Sequence, residues 1–387
     1  MINQSCPIVP VLSGLNAHLR VGIKAKELGM TKVLVVYDLG VYGAGIVTPV
    51  IESLEASRIE VVTFDKVTPD PPDHQVDEGG KLANDEKVDG LVAVGGGSVL
   101  DCAKAINYLT ANPAPINQWF FPIVPQGTPL PMIAIPTTAG TGSEGSFAAV
   151  ITDTKTGIKG ALLDGNFCRY SLAISDPLMY AGLPAKPSAY CGFDVLTHTI
   201  DSLFSSYDEP YAHMFAETAI RKVTKFLPRV IKNGKDYEAR QEIAFSATIA
   251  GNVLNTNMAG NTHCMGHSIG AVTHLPHGLC VALPLVSLIK LFYSKWRPER
   301  VQLVGEYFGA QFTGDETADE IGELTGNAIF KFYRECGIEN LSELNITDED
   351  FEKALDMMTE DIQTPTTYML MTRSDYKSVI DHMKSLK

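Results

Sequence analysis

The stretch GLVAVGGGSVLDCAKAI, residues 90–106, decides the fold of this chain. Residues 90–94 form an uninterrupted apolar run, which is typical of a parallel strand covered on both faces. Three glycines and Ser98 follow directly, and the run 99–106 has a helical pattern. The order strand, glycine loop and helix predicts a place where backbone N–H groups and the positive end of a helix approach a phosphate. A plain tight turn is the alternative for this loop taken alone.

The same alternation continues on either side of this stretch. Short β-branched runs at 32–37, 58–64 and 131–136 predict three further strands, and a helical pattern covers 46–56. Strands that alternate with helices predict a mainly parallel sheet with helices on both faces. After about residue 180 the β-branched runs disappear, and amphipathic segments predict an all-α region at 188–204, 211–227, 237–256, 282–294, 317–335 and 349–360. We therefore expect an α/β dinucleotide-binding domain over 1–180 and an all-α domain over 181–387.

Composition excludes several classes of function. The chain has 387 residues, with 31 Lys and Arg against 45 Asp and Glu, so its formal net charge is −14. Binding to nucleic acid or to an anionic membrane needs clustered positive charge, so neither partner is expected. No apolar run reaches the roughly 20 uncharged residues that span a bilayer, and the first residues lack the pattern of a signal peptide.

The seven cysteines are scattered and never spaced CxxC. This arrangement argues against a disulfide framework and against a thiolate zinc site. We expect a soluble protein of a reducing, cytoplasmic compartment.

A second loop and an acidic residue support a nucleotide site. The loop TTAGTGSE, residues 137–144, follows the strand predicted at 131–136, and ligands of open α/β sheets lie at the carboxyl ends of strands. Asp38 ends the strand 32–37, where a carboxylate can accept hydrogen bonds from the ribose of an adenine dinucleotide and repel the extra phosphate of NADP. A turn-forming Asp is the alternative. Because Asp38 precedes the glycines, the standard GxGxxG unit is not used.

The helical half contains a pattern of metal-ligating residues. Asp194 and His198 are four residues apart, as are His263 and His267, and His277 follows. Side chains at i and i+4 share one helix face, and a carboxylate with several imidazoles suits Fe²⁺ or Zn²⁺. On spacing alone His274 could also be a ligand.

Four motifs together resemble the iron-containing, metal-dependent (group III) alcohol dehydrogenase family over about residues 8–340. They are GGGS (95–98) with Asp101 and Lys104, PTTAGTGSE (136–144), GFDVLTH (192–198), and His263 and His267 followed by PHG (276–278). The resemblance implies a dehydroquinate synthase-like architecture, in which an N-terminal dinucleotide-binding domain and a C-terminal helical domain enclose the active site.

The resemblance also implies roles for individual residues. It gives Asp194, His198, His263 and His277 as metal ligands, and His267 as a proton relay beside the nicotinamide and the metal. His274 does not match a ligand position of the family. The positions that match NAD contacts are Asp38, Gly96, Gly97, Ser98, Thr137, Thr138, Thr141 and Lys159.

The expected activity is reversible, NAD(H)-linked interconversion of a small primary alcohol or diol and its aldehyde. The expected metal is Fe²⁺, with Zn²⁺ as the alternative, and it would act as a Lewis acid toward the substrate oxygen. We expect a homo-oligomer, a dimer or larger. Three alternatives stay open: reduction of an anionic aldehyde such as sulfoacetaldehyde, a dehydroquinate synthase-like lyase, and a non-catalytic assembly subunit. The lyase needs basic residues beside the metal motif, and the helical half shows no such cluster.

The chain departs from the family in two segments. The family's Pro-Asn-Pro loop is Pro69-Asp70-Pro71 here, which puts an acid near the expected cofactor. Near the C-terminus the family often has a Cys or an Asn-Pro-Arg stretch. This chain has residues 361–373 there instead. The alternatives for this segment are a polar wall, with Thr364, Thr366, Thr367 and Arg373 facing a polar or anionic substrate tail, and a solvated helix–turn connection.

Overall fold

The computed structural model describes residues 8–157, 159–361 and 363–386, which form two compact units. One unit extends to Gly182 and the other begins at Leu183. The sequence expectation of no signal peptide rests partly on residues 1–7, which lie outside the described part, as does Ile362 of the divergent segment.

The first unit contains the strands β1 (Val11–Ser13), β2 (Lys32–Tyr37), β3 (Glu60–Phe64), β4 (Gly90–Gly95), β5 (Met132–Pro136), β6 (Ala148–Thr152), β7 (Lys159–Leu163) and β8 (Leu172–Ser175). Six of them form a parallel sheet in the order β1-β8-β5-β4-β2-β3. The four predicted strands are present as β2, β3, β4 and β5, and β4 pairs in parallel with both β2 and β5. Strands β6 and β7 form a separate antiparallel hairpin. The helices are α1 (Val21–Glu27), α2 (Leu39–Gly43), α3 (Val47–Ala56), α4 (Asp73–Asp85), α5 (Gly97–Ala111) and α6 (Pro177–Tyr180).

The sheet is covered on both faces, as the apolar run of β4 predicts. Successive side chains of a strand alternate between faces. Leu91 and Ala93 belong to the core cluster on one face, whereas Val92 and Val94 belong to the cluster on the other. Each face of β4 is therefore shielded from water by helices or loops, and the carboxyl end of the strand is left to present the glycine loop.

The second unit is helical. Its helices are α7 (Ala185–Ser202), α8 (Pro210–Lys232), α9 (Tyr237–Asn257), α10 (Asn261–Thr273), α11 (His277–Ala282), α12 (Leu285–Leu288), α13 (Ser294–Trp296), α14 (Pro298–Tyr307), α15 (Ala318–Cys336), α16 (Asp348–Met358) and α17 (Arg373–Ser385). The expected fold class, an α/β region followed by an all-α region, is confirmed.

The helix predicted over 282–294 is not continuous. The chain forms α11, α12, a π-helical turn at Ile289–Tyr293 and then α13. The segment His277–Trp296 as a whole is long and apolar enough to cross a membrane. However, 72% of its most apolar part is buried inside the structure, as is usual for a core helix.

Candidate functional site

Asp194 and His198 lie on one buried face of α7. They are four residues apart, and only 3% and 6% of their surfaces are exposed. Residues at this spacing are neighbours on a helix. The Nδ1 atom of His198 lies 3.6 Å from Oδ1 of Asp194.

Two histidines from later helices complete the cluster. His263 lies in the first turn of α10, and His277 is the first residue of α11. Oδ1 of Asp194 is 3.7 Å from Nε2 of His263 and 3.3 Å from Nε2 of His277. The ligand atoms of these three residues all lie within 4.8 Å of one another. The ring of His198 stacks on that of His263, with centroids 4.2 Å apart. The structure thus brings all four expected ligands together.

The cluster contains buried polar atoms that no protein group satisfies. Oδ1 of Asp194, Nδ1 of His198 and Nε2 of His263 have no hydrogen-bond partner. An unsatisfied buried polar atom is rare because it costs about 1–3 kcal/mol. Here the unsatisfied atoms converge, and one carboxylate with three imidazoles is a donor set that Fe²⁺ and Zn²⁺ both accept. The residues therefore fit a divalent cation.

The electrostatics of the cluster favour an ionised Asp194 and a neutral His198. Burial opposes ionisation of Asp194, but the neighbouring histidines, His198 first, hold its pKa well below the usual value. Burial and the nearby His263 lower the pKa of His198 to about 3, so its ring is neutral at physiological pH. For His263, burial opposes protonation, but Asp194 and Asp201 outweigh it and raise the pKa to about 9. A cation bound between Asp194 and His263 would replace the proton that His263 otherwise holds there.

His267 borders the cluster and has a carboxylate partner. It lies one turn after His263 on α10, and its ring stacks on that of His277 with centroids 5.5 Å apart. Its Nδ1 lies 2.8 Å from Oδ2 of Asp361. Burial lowers the pKa of His267 although Asp361 opposes that shift. One third of the side chain is exposed, so the ring can exchange protons with water.

His274 is separate from this cluster. It is an exposed residue that ends α10 in the left-handed conformation, with φ of 56°. Among the described residues, no ion pair or ring contact joins His274 to Asp194 or to the clustered histidines, whereas His198 makes both. The spacing argument for His274 as a ligand therefore finds no support in the structure.

The glycine loop and the loop 137–144 are in contact. β4 and β5 are parallel neighbours that end together at Gly95 and Pro136. Gly96 precedes α5, and Gly97 begins it. A Cβ atom on Gly96 would lie 3.2 Å from the Thr138 side chain, and one on Gly97 would lie 2.8 Å from that of Thr141. Glycines let the two loops approach closely.

The remaining residues expected to bind NAD lie at the same end of the sheet, except Lys159. Ser98 is in the first turn of α5, and the backbone N–H of Thr137 donates to Gly95 O at 2.9 Å. Asp38 follows β2, the other neighbour of β4, and caps α2 by accepting from Val41 N at 2.9 Å.

Lys159 lies on the hairpin and is already paired. Its Nζ is 2.6 Å from Oδ1 of Asp70, the acid that replaces the family's Asn. Thr152 also donates through its backbone N–H to Pro71 O at 2.9 Å. The hairpin is therefore fastened to the turn at 69–72. Any contact of Lys159 with a dinucleotide competes with Asp70.

The motif residues Asp101 and Lys104 connect α5, which follows the glycine loop, to the second loop through hydrogen bonds. Asp101 accepts a hydrogen bond from Ser143 at 2.6 Å and another from Val150 N at 3.0 Å. Lys104 is fully buried and donates to Ser143 Oγ at 2.9 Å and to Ala148 O at 2.6 Å. Both residues lie on α5, so this network fixes the position of the second loop relative to the glycine loop.

Two carboxylates beside the histidines are not indicated by the sequence motifs. Asp361 lies in the divergent segment, far along the chain from its partner His267, and no spacing pattern joins them. Asp201 follows Asp194 by seven residues, which places it on the same face of α7. That spacing is the one signal in the sequence that points to Asp201.

Two family models match almost the whole chain. Residues 10–177 match the model of iron-containing alcohol dehydrogenase, and residues 188–383 match the C-terminal model of the Fe-containing alcohol dehydrogenase family. The NAD-dependent methanol dehydrogenase of Bacillus methanolicus is 32% identical over 98% of this chain and 99% of its own length. The 1,3-propanediol dehydrogenase of Citrobacter freundii is 33% identical over 90% of each chain.

Solved structures agree with this match. A crystal structure of a 1,3-propanediol oxidoreductase covers 99% of this chain and 100% of its own, with a TM-score of 0.93 and 28% identity. The alcohol dehydrogenase of Oenococcus oeni has the same TM-score and coverage with 25% identity. The chain therefore belongs to the iron-containing alcohol dehydrogenase family, and it is an alcohol dehydrogenase.

Proposed function

We propose that this enzyme interconverts a small primary alcohol or diol and its aldehyde with NAD(H), using a divalent metal held by Asp194, His198, His263 and His277. The observation that supports this most strongly is the set of three converging buried atoms without hydrogen-bond partners in the cluster. Iron is the metal of the family, and Zn²⁺ is the alternative that the same donor set accepts. A cytoplasmic location and a homo-oligomeric state belong to the same proposal.

The two cofactors supply the chemistry that side chains cannot. When bound, the metal supplies Lewis acidity toward the substrate oxygen, and the dinucleotide carries the hydride. The protein supplies orientation: Asp194 gives the one anionic ligand, and the neutral rings give the others.

We assign the movement of the hydroxyl proton to His267. Asp361 accepts from Nδ1 of His267, which leaves Nε2 free to take or return a proton. The side chains of His267 and Asp361 are 33% and 11% exposed, so the pair can pass a proton between the cluster and water. General acid–base catalysis needs a group that titrates near the working pH, and an imidazole meets that need.

For the cofactor we propose the two loops that end β4 and β5. Gly96, Gly97 and Ser98 offer backbone N–H groups at the start of a helix of 15 residues, which suits a pyrophosphate. Thr137, Thr138 and Thr141 face them across the contact described above. Asp38 would bind the ribose and disfavour NADP. Lys159 would join only by leaving Asp70.

The anionic-aldehyde alternative loses its main support in the structure. Arg373, the one cation expected to bind an anionic tail, is paired instead with Glu352 and Asp356 on the surface, at 2.8 Å each. Thr366 and Thr367 are buried and bond to backbone carbonyls. These contacts occupy the groups that a polar wall would need, which favours an uncharged substrate. Thr366 and Thr367 are also too buried for a solvated helix–turn connection.

The test is turnover of the reconstituted enzyme. Metal-free protein is loaded anaerobically with Fe²⁺ or Zn²⁺ and assayed with NADH and NADPH against short aldehydes, a hydroxyaldehyde and sulfoacetaldehyde. We expect metal-dependent oxidation of NADH by the uncharged aldehydes. No turnover by any loaded form would contradict the proposal.

Two histidine variants test the ligand set. His263→Ala is expected to lose both bound metal and activity. The matched control is His274→Asn, since His274 is exposed outside the cluster and Asn tolerates its left-handed backbone. This control is expected to keep both. A His263→Ala enzyme with full metal content would exclude the proposed ligands.

A further inference from the structure

Asp201 is a buried carboxylate surrounded by hydrogen-bond donors. It lies on α7 and is 1% exposed. One oxygen, Oδ2, accepts from Gly260 N at 2.9 Å and from Thr262 Oγ1 at 2.5 Å, and lies 3.2 Å from Nδ1 of His263. The other, Oδ1, accepts from the hydroxyl of Tyr293 at 2.8 Å. A carboxylate taken out of water is costly, and these bonds offset that cost.

The donors come from separate elements. Gly260 and Thr262 belong to the start of α10, whereas Tyr293 ends the π-helical turn Ile289–Tyr293. Such turns are often found at functional sites, because the wider turn changes the direction of a side chain. The position of Asp201 is therefore set from three sides, including its own helix.

This position determines which nitrogen of His263 can bind an ion. A carboxylate 3.2 Å from Nδ1 keeps the proton on that atom. The lone pair of a neutral ring is then on Nε2, which lies 3.7 Å from Oδ1 of Asp194 and has no hydrogen-bond partner. Asp201 also fixes the rotation of the ring.

We propose that Asp201 is a positioning residue of the metal centre, which holds His263 in the ring orientation and tautomer that direct Nε2 at the ion. The proposal rests on the ligand set proposed above. A carboxylate behind a ligating histidine fixes its orientation and makes it a stronger ligand, and loss of such a partner typically weakens metal binding by about 10- to 100-fold.

Two substitutions separate the charge of Asp201 from its acceptor. In Asp201→Asn the amide nitrogen can face Tyr293, whose hydroxyl oxygen accepts as well as donates, so the amide oxygen still faces His263. The charge is lost together with the weak hydrogen bond that Oδ1 accepts from Thr262 N at 3.5 Å, and we expect metal affinity to fall by about 10-fold. Asp201→Ala removes the carboxylate acceptor too and leaves Thr262 Oγ1, 3.2 Å from Nδ1 of His263, as a neutral acceptor, so we expect a fall of up to about 100-fold.

The measurement is metal affinity of the full-length protein by competition with a chelator, with Zn²⁺ and Co²⁺ as probes. The absorption spectrum of bound Co²⁺ reports ligand geometry and is expected to change in Asp201→Ala. Thermal unfolding of each metal-free variant shows whether it is folded. If the Ala variant does not fold, the isosteric Asn variant provides the test.

Asp176→Asn is the matched control. Asp176 is also a buried carboxylate, its Oδ2 lies 2.5 Å from Nδ1 of His18, and the pair belongs to the other unit. The same substitution there also breaks the charge balance of a buried His–Asp pair, but it leaves the ligand set untouched. Metal affinity is expected to equal that of the wild type.

A folded Asp201→Ala with wild-type affinity and an unchanged Co²⁺ spectrum would overturn the inference, as would the same result for Asp201→Asn when Ala does not fold. His263→Ala distinguishes failure of the role of Asp201 from failure of the proposed ligand set. If His263→Ala loses the metal, the ligand set stands and only the role of Asp201 is wrong. If it retains the metal, the ligand set itself is wrong.

Discussion

The pairing of His267 with Asp361 leads to a prediction about turnover. His267→Gln is expected to lower kcat by about 100-fold, since general acid–base groups contribute 10²–10⁴-fold. Asp361→Asn keeps the shape of the pair but removes its charge, so a fall of about 10-fold is expected. Steady-state assays of metal-loaded protein give kcat and KM. A fall in metal content instead of kcat would show that both residues support the ion and not the proton.

Asp38 leads to a prediction about the choice of dinucleotide. Asp38→Ser keeps a side-chain oxygen that can cap α2, because Ser is a favoured N-cap, but it removes the negative charge. Two charges about 4 Å apart interact by roughly 4 kcal/mol near a protein surface. We therefore expect the preference for NADH over NADPH, measured as the ratio of kcat/KM, to fall at least about tenfold. An unchanged ratio would place Asp38 outside the ribose site.

Residue spacing predicts some contacts and not others. Asp194 and His198 could be expected on one face because the helical repeat alone sets their relation. The approach of His277 and Asp361 depends on how α10, α11 and the segment after α16 pack together, and no local pattern encodes that packing. Resemblance therefore predicts the cluster and the spacing of seven residues points to Asp201, whereas nothing in the sequence indicates Asp361.

At the scale of elements, the contact between the two cofactor loops is testable. In Gly97→Ala the new Cβ would meet Cγ2 of Thr141 at 2.8 Å, so the loop 137–144 must shift. We expect the shifted loop to weaken cofactor binding and KM for NADH to rise by about 10-fold, which corresponds to about 1.4 kcal/mol.

The double variant Gly97→Ala/Thr141→Ser is the control. Ser lacks Cγ2, so the overlap is relieved and the KM should return toward that of the Thr141→Ser single variant. A double variant as impaired as Gly97→Ala alone would mean that the glycine serves backbone approach to the dinucleotide and not the approach of the two loops.

The sequence predicts long and strongly patterned elements better than short ones. The apolar runs of β2, β4 and β5 are predicted well because these strands are buried on both faces, whereas the edge strand β3 is only partly buried. β1, with three residues, β8, with four, and the hairpin β6–β7 were not predicted. A strand of three residues has too few positions to show a period, and Lys159 and Gly160 weaken the pattern of β7. The sequence also gives no signal for the π-helical turn within the predicted helix 282–294, because the formation of this wider turn depends on packing.

For the whole molecule, removal of the metal should affect one unit selectively. All four proposed ligands lie in the unit that begins at Leu183. Free metal at 100 times its Kd stabilises the form that binds it by about 2.7 kcal/mol. For a domain of about 200 residues this shifts Tm by roughly 5–10 °C.

Calorimetry measures this shift. Addition of a chelator should lower the Tm of the helical unit, and restored Fe²⁺ or Zn²⁺ should raise it again. The same scan on His263→Ala should show no metal-dependent shift, and a shift there would contradict the assignment.

The segment His277–Trp296 is connected to the cluster at both ends. At its first residue the His277 ring contacts Asp194, and near its last turn Tyr293 donates to Asp201, which in turn faces His263. Departure of the ion would loosen the first of these attachments, because His277 would lose its proposed ligand bond, while the hydrogen bond from Tyr293 to Asp201 would stay. Amide protons near His277 should then exchange with deuterium faster than those near Tyr293, so that isotope uptake by the peptide containing His277 would report the occupancy of the metal centre.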